Sequence, residues 1–295
     1  MICMAKSNRF PCQGCGACEY CAERAVQQLI LPPCTHAAAR RAGAVVRPVC
    51  PPTVLCRNEA DMSRYCAELM RACVAEKPDA LFCLAAGKTA VGTYREFVRM
   101  VHDGEVDASR ARFVSLDEWV GLSEAALQED CLHFMMENIY GPLNVSPERL
   151  TLFNSSAPDL DAECRRIDQA ISAAGGVDFM LLGLGMNGHL GLNEPGADFH
   201  SLSHVTTLSD VTKQVGQKYF SAPTDLTGGI TTGILHMFRA KQVILQVCGS
   251  HKRNIVRRLY TEELSEQLPA TVFQVLPHGL VVLDEEAAAD IRMLI

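Results

Sequence analysis

The chain has 295 residues, of which 48% are hydrophobic, so it is long enough to form one large α/β domain or one domain with an appendage. Its formal net charge of −7 argues against a nucleic-acid-binding protein, because binding to a phosphate backbone needs clustered lysine and arginine side chains. No apolar run reaches the roughly 18 residues of a membrane-spanning helix, and the first residues lack the pattern of a secretory signal peptide. We therefore expect a cytoplasmic protein that binds neither nucleic acid nor membrane.

Residues 1–52 form a cysteine-rich segment that we interpret as an appendage. Four of the 14 cysteines follow each other at three-residue steps: Cys12, Cys15, Cys18 and Cys21. This spacing is close to that of thiolates around an iron–sulfur cluster or a zinc ion. The segment does not continue as the bacterial cluster motif C-x3-C-P, however, and it lacks two separated C-x2-C units, which zinc sites usually have. We therefore favour a poorly ordered extension over a metal site, and predict no bound metal or cofactor.

Strand-like and helix-like segments alternate along residues 53–295, and no internal repeat or low-complexity linker divides them. Short apolar runs predict strands at residues 53–56, 80–84, 112–116, 150–153, 179–182, 242–247 and 280–283. Helical spacing of apolar residues predicts helices at residues 60–76, 91–101, 131–140, 159–173 and 252–259. Residues 117–119 are expected in a loop, and residues 229–232 in a further strand of the sheet. The alternation predicts one three-layer α/β/α domain with a mostly parallel, Rossmann-like central sheet.

A glycine, a lysine and a threonine follow the second predicted strand, where the next helix begins. These residues are Gly87, Lys88 and Thr89. Backbone N–H groups at a helix N-terminus bind anions, and the two side chains add a positive charge and a hydroxyl, so a phosphate group fits this turn. The turn is not a Walker motif, because G-x4-G-K-[ST] is absent. A phosphate site and a bare structural turn both stay open from these residues alone.

Two adjacent carboxylates, Asp117 and Glu118, follow the third predicted strand. A carboxylate in this position can cap a helix, or it can remove a proton from carbon next to a carbonyl. Ligands of open α/β sheets bind beyond the carboxyl ends of the strands, so these groups are expected in the same crevice as the phosphate turn. The residues leave both functions open.

A glycine-rich turn at residues 183–198 carries a histidine, a glutamate and an asparagine directly after a buried strand. His189 is the type of side chain best suited to moving a proton near neutral pH. Glu194 can orient the imidazole and stabilise its cation, and Asn187 is close in sequence. The segment has neither a serine nucleophile elbow nor the second histidine of an H-E-x-x-H zinc site. We therefore favour a proton-transfer site over a histidine that bonds only to backbone.

Three segments resemble, in their residues, order and spacing, the motifs of the amino-sugar-6-phosphate deaminase/isomerase family. They are LAAGKTAVGTY at residues 84–94, SLDEWVGL at residues 115–122 and LGLGMNGHLGLNEPG at residues 182–196. The family comprises glucosamine-6-phosphate deaminase and its galactosamine-6-phosphate counterpart, and the resemblance covers about residues 53–290. It implies an aldose–ketose isomerisation coupled to deamination, which uses no metal and converts glucosamine 6-phosphate to fructose 6-phosphate and ammonia.

The resemblance also implies the role of each catalytic residue. Asp117 is implied to take the C2 proton of the opened sugar and to return a proton to C1. His189 is implied to open the pyranose ring by proton transfer at the ring oxygen, with Glu194 and Asn187 completing the relay. Some family members have aspartate at the position of Asn187, so the histidine here is expected to feel less negative charge.

The sugar phosphate is implied to bind the turn at residues 87–89, with Lys252 reaching it from another strand end. Lys218 stands where the family often has arginine. The family's turn usually reads TGGTP or TGSTP, whereas this chain has Ala86, Lys88 and Ala90 in place of the threonine, a small residue and the proline. The added lysine is expected to strengthen the attraction for phosphate.

Regulated members of the family hold an effector with a serine, an arginine and a lysine that follow the NEP motif. The matching residues in this chain are Ala197, His204 and Thr206. We therefore predict no activation by N-acetylglucosamine 6-phosphate. Because family members range from single subunits to hexamers, a homo-oligomer is compatible with the sequence.

Three other functions are considered. Galactosamine 6-phosphate, which would give tagatose 6-phosphate, differs from the favoured substrate only in the orientation of one hydroxyl. A 6-phosphogluconolactonase has the same fold and phosphate turn, but the residues NEPG and DEW speak against it. A sugar-phosphate-binding regulator without turnover would be expected to have lost Asp117 or His189, and both are present.

Overall fold

The computed structural model describes residues 50–295. The four closely spaced cysteines, Cys12, Cys15, Cys18 and Cys21, lie outside the described residues, as does almost all of the predicted extension. Ten strands occur in the described part of the chain: β1 Thr53–Cys56, β2 Leu81–Leu84, β3 Arg112–Ser115, β4 Asp117–Val120, β5 Leu150–Thr151, β6 Phe179–Gly183, β7 His204–Thr207, β8 Gly228–Thr231, β9 Val243–Val247 and β10 Gly279–Asp284.

Seven α-helices lie between these strands in the described residues: α1 Glu59–Glu76, α2 Val91–His102, α3 Cys131–Met135, α4 Leu160–Ala173, α5 Asp210–Gly216, α6 Ile234–Arg239 and α7 Arg253–Thr261. An asparagine and an aspartate side chain cap the N-termini of the two longest of these helices. Asn58 accepts a hydrogen bond from the N–H of Asp61 at 2.9 Å, and Asp159 accepts one from the N–H of Ala162 at 2.8 Å. Such caps satisfy N–H groups that have no partner within the helix.

The central sheet has seven strands in the order β1-β10-β9-β6-β2-β3-β5, and every strand pair in it is parallel. The predicted three-layer α/β/α fold with a mostly parallel sheet is therefore confirmed. One face of the sheet packs Phe82 against Met70 of α1 and Phe97 of α2. The other face packs Met180 together with Ile167 of α4. Burial on both faces explains why β6 and β9 appear in the sequence as almost unbroken apolar runs.

A second, smaller sheet has three antiparallel strands in the order β4-β8-β7. Two predictions are wrong here. Residues 117–119 belong to strand β4 instead of a loop, and residues 229–231 belong to β8, which pairs with β4 and β7 instead of the central sheet. Between β3 and β4 the chain leaves the central sheet, and the Leu116 carbonyl accepts a hydrogen bond from the N–H of Thr232 at 2.8 Å. This change of sheet places Asp117 directly beyond the carboxyl end of β3.

The remaining predicted helices and strands are found with small shifts in their boundaries. Strand β5 is shorter than predicted, and the predicted helix at residues 131–140 consists of α3 followed by a π-helical turn, Met136–Tyr140. Helices α5 and α6 and strand β7 were not predicted. No helix among residues 50–295 combines the length and the apolar character needed to span a membrane.

Asp178, directly before β6, is a buried charge that joins several parts of the fold. Its side chain is 4% exposed, and it accepts hydrogen bonds from Lys77 Nζ and from the N–H of Leu81, both at 2.8 Å. Lys241 Nζ lies 2.8 Å from its second oxygen. Burial alone would raise the pKa of Asp178, but the hydrogen bonds from Lys241 and Lys77 outweigh it and lower the pKa.

We expect the Asp178→Ala variant to lose about 2 kcal/mol of its free energy of unfolding, because the buried N–H of Leu81 loses its acceptor. The charge-dependent part of this stabilisation is present at neutral pH and is lost as the pH falls through the lowered pKa. Urea denaturation of the parent and of the Asp178→Ala and Asp178→Asn variants measures both the total loss of free energy and its charge-dependent part, since asparagine keeps an acceptor but carries no charge. An alanine variant as stable as the parent at pH 7 would contradict this role.

Candidate active site

The main cavity opens at the carboxyl edge of the central sheet, where open α/β sheets bind their ligands. It has a volume of about 630 Å³, and its walls come from the residues that follow β2 and β6, from the start of β4, from the segment after β9 and from α5 with the turn that follows it. Seven of the nine residues predicted from the sequence line it: Gly87, Lys88, Thr89, Asp117, His189, Lys218 and Lys252. Asn187 and Glu194 are not among the residues that line it.

Asp117 is the carboxylate at the floor of the cavity. Burial raises the pKa of its carboxyl group to about 7, although a hydrogen bond with Cys131 lowers it somewhat. Gly191, at φ +59°, lies so close that a Cβ atom there would be 3.3 Å from Asp117 Oδ2. The chain after β6 therefore approaches the Asp117 carboxylate directly, and glycine leaves room for that contact.

Glu118, the neighbouring carboxylate, is buried and points away from the cavity. Its Oε1 accepts hydrogen bonds from the N–H groups of Trp119 at 2.8 Å and Cys131 at 3.0 Å, and its Oε2 accepts one from Leu132 at 2.9 Å. It therefore satisfies N–H groups at the start of α3, as a helix cap does. The sequence left capping and catalysis open for this pair, and in the structure Glu118 caps while Asp117 faces the cavity.

His189 lines the same cavity as Asp117 and the lysines. Gly185 packs against the imidazole, and a Cβ atom at position 185 would come within 2.5 Å of the ring. The Thr212 hydroxyl lies 3.2 Å from Nδ1. Burial lowers the pKa of His189 well below its usual range, and the nearby Glu194 carboxylate offsets only part of this effect. The imidazole is therefore neutral at physiological pH.

Glu194 contacts the histidine through other groups. The Glu194 side chain is 7% exposed, and its Oε2 accepts a hydrogen bond from Asn187 Nδ2 at 2.7 Å. Asn187 in turn accepts one from the N–H of His189 at 3.1 Å. Glu194 was expected to orient the imidazole directly. In the structure it is connected to the imidazole only through Asn187 and the hydroxyl groups of Ser209 and Thr212, within the described residues.

Three lysines converge on the side of the cavity nearest the turn at residues 87–89. Lys252 Nζ donates a hydrogen bond to the Leu184 carbonyl at 2.5 Å. Burial and the charge of Lys218 lower the pKa of Lys252 to about 8. Burial and the charge of Lys88 also lower the pKa of Lys218. Because these cations disfavour one another's charge, an anion between them would be bound strongly.

Sequence reasoning missed several cavity residues, among them Cys131, Thr212 and Tyr219. The sequence contains one pattern that could have pointed to Ser209 and Thr212. Ser209 is the N-cap of α5 and accepts a hydrogen bond from the N–H of Thr212 at 3.2 Å, and serine before a helical segment is a typical cap. The contact with His189 is formed only in the folded chain and has no local sequence signal.

The parallel sheet and the cavity at its carboxyl edge define an α/β protein in which three lysines line the same cavity as a carboxylate and an imidazole. The chain belongs to the family of glucosamine-6-phosphate isomerases/6-phosphogluconolactonase, whose family model matches residues 58–279. Its relatives include a glucosamine-6-phosphate deaminase of Thermoanaerobacter pseudethanolicus, 33% identical over 79% of this chain and 92% of the relative. A glucosamine-6-phosphate deaminase of Clostridium botulinum is 32% identical over 80% of this chain and 97% of the relative.

Solved structures agree with this assignment. A structure described as a monomeric glucosamine-6-phosphate deaminase superposes with a TM-score of 0.77 at 33% identity, covering 81% of this chain and 99% of the other. A 6-phosphogluconolactonase from Leishmania guyanensis superposes with a TM-score of 0.61 at 16% identity, covering 82% and 99%. The second likeness shows the fold alone.

We expect His189 to titrate with a midpoint well below about 6.5, the value of an unperturbed imidazole, because the protein around its half-buried ring disfavours the charged form. NMR titration of the protein with 15N-labelled histidine measures this midpoint, and the His189→Gln variant identifies the resonance. A midpoint at or above the unperturbed value would contradict the burial argument.

Proposed function

We propose that this protein is a glucosamine-6-phosphate deaminase, which converts glucosamine 6-phosphate and water to fructose 6-phosphate and ammonia. The observation that carries the proposal is the position of Asp117 and His189 in one cavity together with Lys88, Lys218 and Lys252. The named activities of the relatives that share about a third of their residues with this chain support it.

Binding begins with the phosphate at the turn formed by residues 87–89. The N–H groups at the start of α2 and the three lysines supply the positive charge. Because burial and neighbouring cations lower the pKa of Lys218 and Lys252, the arriving phosphate favours their protonated forms and gains affinity from doing so. With the phosphate held there, the reacting carbons C1 and C2 would extend towards Asp117 and His189.

The reaction requires only proton movements and one addition of water. Ring opening transfers the proton of O1 to the ring oxygen, and we assign His189 to the ring oxygen in this step. Ionised Asp117 removes the proton from C2, a proton passes from the substrate's ammonium nitrogen to O1, and the acid formed on Asp117 returns its proton to C1. These transfers leave a hydroxymethyl group at C1 and an iminium group at C2. Water adds to C2 and ammonia departs, which gives the ketose. A general base works best with a pKa near the working pH, and burial places that of Asp117 at about 7.

Asn187 and Glu194 are proposed to support His189 without touching the sugar, since neither lines the cavity and Asn187 joins Glu194 to the backbone of His189. The absence of activation by N-acetylglucosamine 6-phosphate, which rests on Ala197, His204 and Thr206, stays a prediction. The cytoplasmic location likewise stays a prediction from the sequence, which is compatible with a homo-oligomer but does not specify the oligomeric state.

A substrate comparison tests the proposal. We expect the purified protein to release ammonia and ketose 6-phosphate from glucosamine 6-phosphate, with a lower kcat/KM on galactosamine 6-phosphate and no hydrolysis of 6-phosphogluconolactone. The Asp117→Asn variant is expected to lose at least about 100-fold in kcat and to keep substrate binding, measured by calorimetry. The Asp161→Asn variant changes an exposed carboxylate on α4 and serves as the matched control.

Two outcomes would overturn parts of this proposal. Preferential turnover of galactosamine 6-phosphate would correct the substrate and keep the reaction. Ammonia release by Asp117→Asn at the parent rate would remove Asp117 as the base.

The pH dependence of kcat/KM follows from the two shifted groups. Activity needs ionised Asp117, so kcat/KM falls as the pH drops through about 7. It also needs protonated Lys252, so kcat/KM falls as the pH rises through about 8. We therefore expect a bell-shaped profile with a narrow maximum, measured from initial rates at low substrate concentration.

The Lys252→Arg variant tests whether the basic limb of this profile arises from the enzyme or from the substrate. Arginine stays charged throughout the range, so the basic limb should move to higher pH. A limb that stays in place would belong to the substrate's amino group and would contradict the role of Lys252.

A further inference from the structure

Two hydroxyl groups of α5 connect the amide of Asn187 to the imidazole of His189. Ser209 Oγ lies 2.9 Å from Asn187 Nδ2 and 3.1 Å from Thr212 Oγ1. Thr212 Oγ1 lies 3.2 Å from His189 Nδ1. These contacts form a continuous chain from the amide to the ring, and Thr212 is only 3% exposed, so bulk water has little access to its inner end.

The direction of every hydrogen bond in this chain is fixed at Asn187. The N–H of His189 can only donate, so the atom that accepts from it at 3.1 Å is the amide oxygen, Oδ1. The Glu194 carboxylate can only accept when ionised, so the atom that donates to it at 2.7 Å is the amide nitrogen, Nδ2. The second hydrogen of Nδ2 is then directed at Ser209 Oγ.

The direction of the next hydrogen bond is fixed at Ser209. Its oxygen accepts from Asn187 Nδ2 and from the N–H of Thr212 at 3.2 Å, which uses both of its lone pairs. The Ser209 proton is therefore donated to Thr212 Oγ1. Thr212, which accepts that proton, has its own proton free, and the acceptor facing it is His189 Nδ1.

We propose that Thr212 is a positioning residue that holds His189 in its neutral form with the proton on Nε2. A nitrogen that accepts a hydrogen bond carries no proton, so the single proton of the neutral ring lies on the other nitrogen. In the part of the chain that the structure describes, no protein group hydrogen-bonds to Nε2, and His189 lines the cavity. The Nε2–H group is thus available to donate to a substrate oxygen.

The consequence for catalysis rests on the proposed function. A neutral imidazole with its proton on Nε2 stabilises, by donating a hydrogen bond, the negative charge that develops on the ring oxygen as the ring opens. The other neutral form would present a lone pair to the same oxygen and repel it. Thr212 would therefore act on the rate of turnover, and much less on the binding of the phosphate.

Two variants distinguish the effect of the Thr212 hydroxyl group from the effect of the side-chain volume. Thr212→Val keeps the volume and removes the proton donor, whereas Thr212→Ser keeps the donor. We expect Thr212→Val to lower kcat by about 10- to 100-fold, as removal of an orienting partner does at other sites, with KM within about 3-fold. Thr212→Ser is expected to stay close to the parent, and Thr261→Val, on the surface of α7, controls for the substitution itself.

NMR of the 15N-histidine-labelled protein at pH 7 reads the tautomer without any substrate. We expect the His189 signals of the parent and of Thr212→Ser to report a protonated Nε2 and an unprotonated Nδ1, and those of Thr212→Val to shift towards protonated Nδ1. A parent protein with protonated Nδ1 would overturn the proposal, and so would an unchanged tautomer in Thr212→Val. The expected NMR result without any ammonia release would support the tautomer and refute the proposed function instead.

Discussion

Partial burial at the carboxyl edge of the parallel sheet shifts the pKa values of three ionisable groups that line the same cavity, each in the direction that suits its proposed task. Burial raises the pKa of Asp117 to about 7, lowers that of His189 and lowers that of Lys252 to about 8. In each case the charged form is the one disfavoured. The site thus holds a carboxyl group that ionises near neutral pH, an imidazole that stays neutral there and lysines that are proposed to bind an anion.

The fold creates this environment by a change of sheet after β3. Strand β4 leaves the parallel sheet and joins β8, so that successive residues point in opposite directions. Asp117 consequently faces the cavity, while Glu118 reaches the N–H groups at the start of α3. Two chemically similar neighbours therefore acquire different tasks, one structural and one proposed to be catalytic.

Much of this architecture could be predicted from local sequence patterns. The apolar runs of β2, β6 and β9 indicate central strands, and glycine, lysine, carboxylate and histidine residues at strand ends indicate a shared crevice. The second sheet could not be found in this way, because β4 and β8 are far apart in sequence and Gly228 and Gly229 weaken the strand pattern. The contact of Thr212 with His189 depends on how α5 packs, which spacing along the chain does not encode.

One short segment carries groups that are proposed to act at both ends of the substrate. Ser209 and Thr212 belong to the start of α5, and Lys218 lies in the 3-10 turn that directly follows it. The packing of α5 therefore sets the position of Thr212 beside the imidazole and of Lys218 in the cavity wall at the same time. A displacement of α5 would affect both the proposed phosphate site and the contact between Thr212 and His189, so the two groups belong to one structural unit.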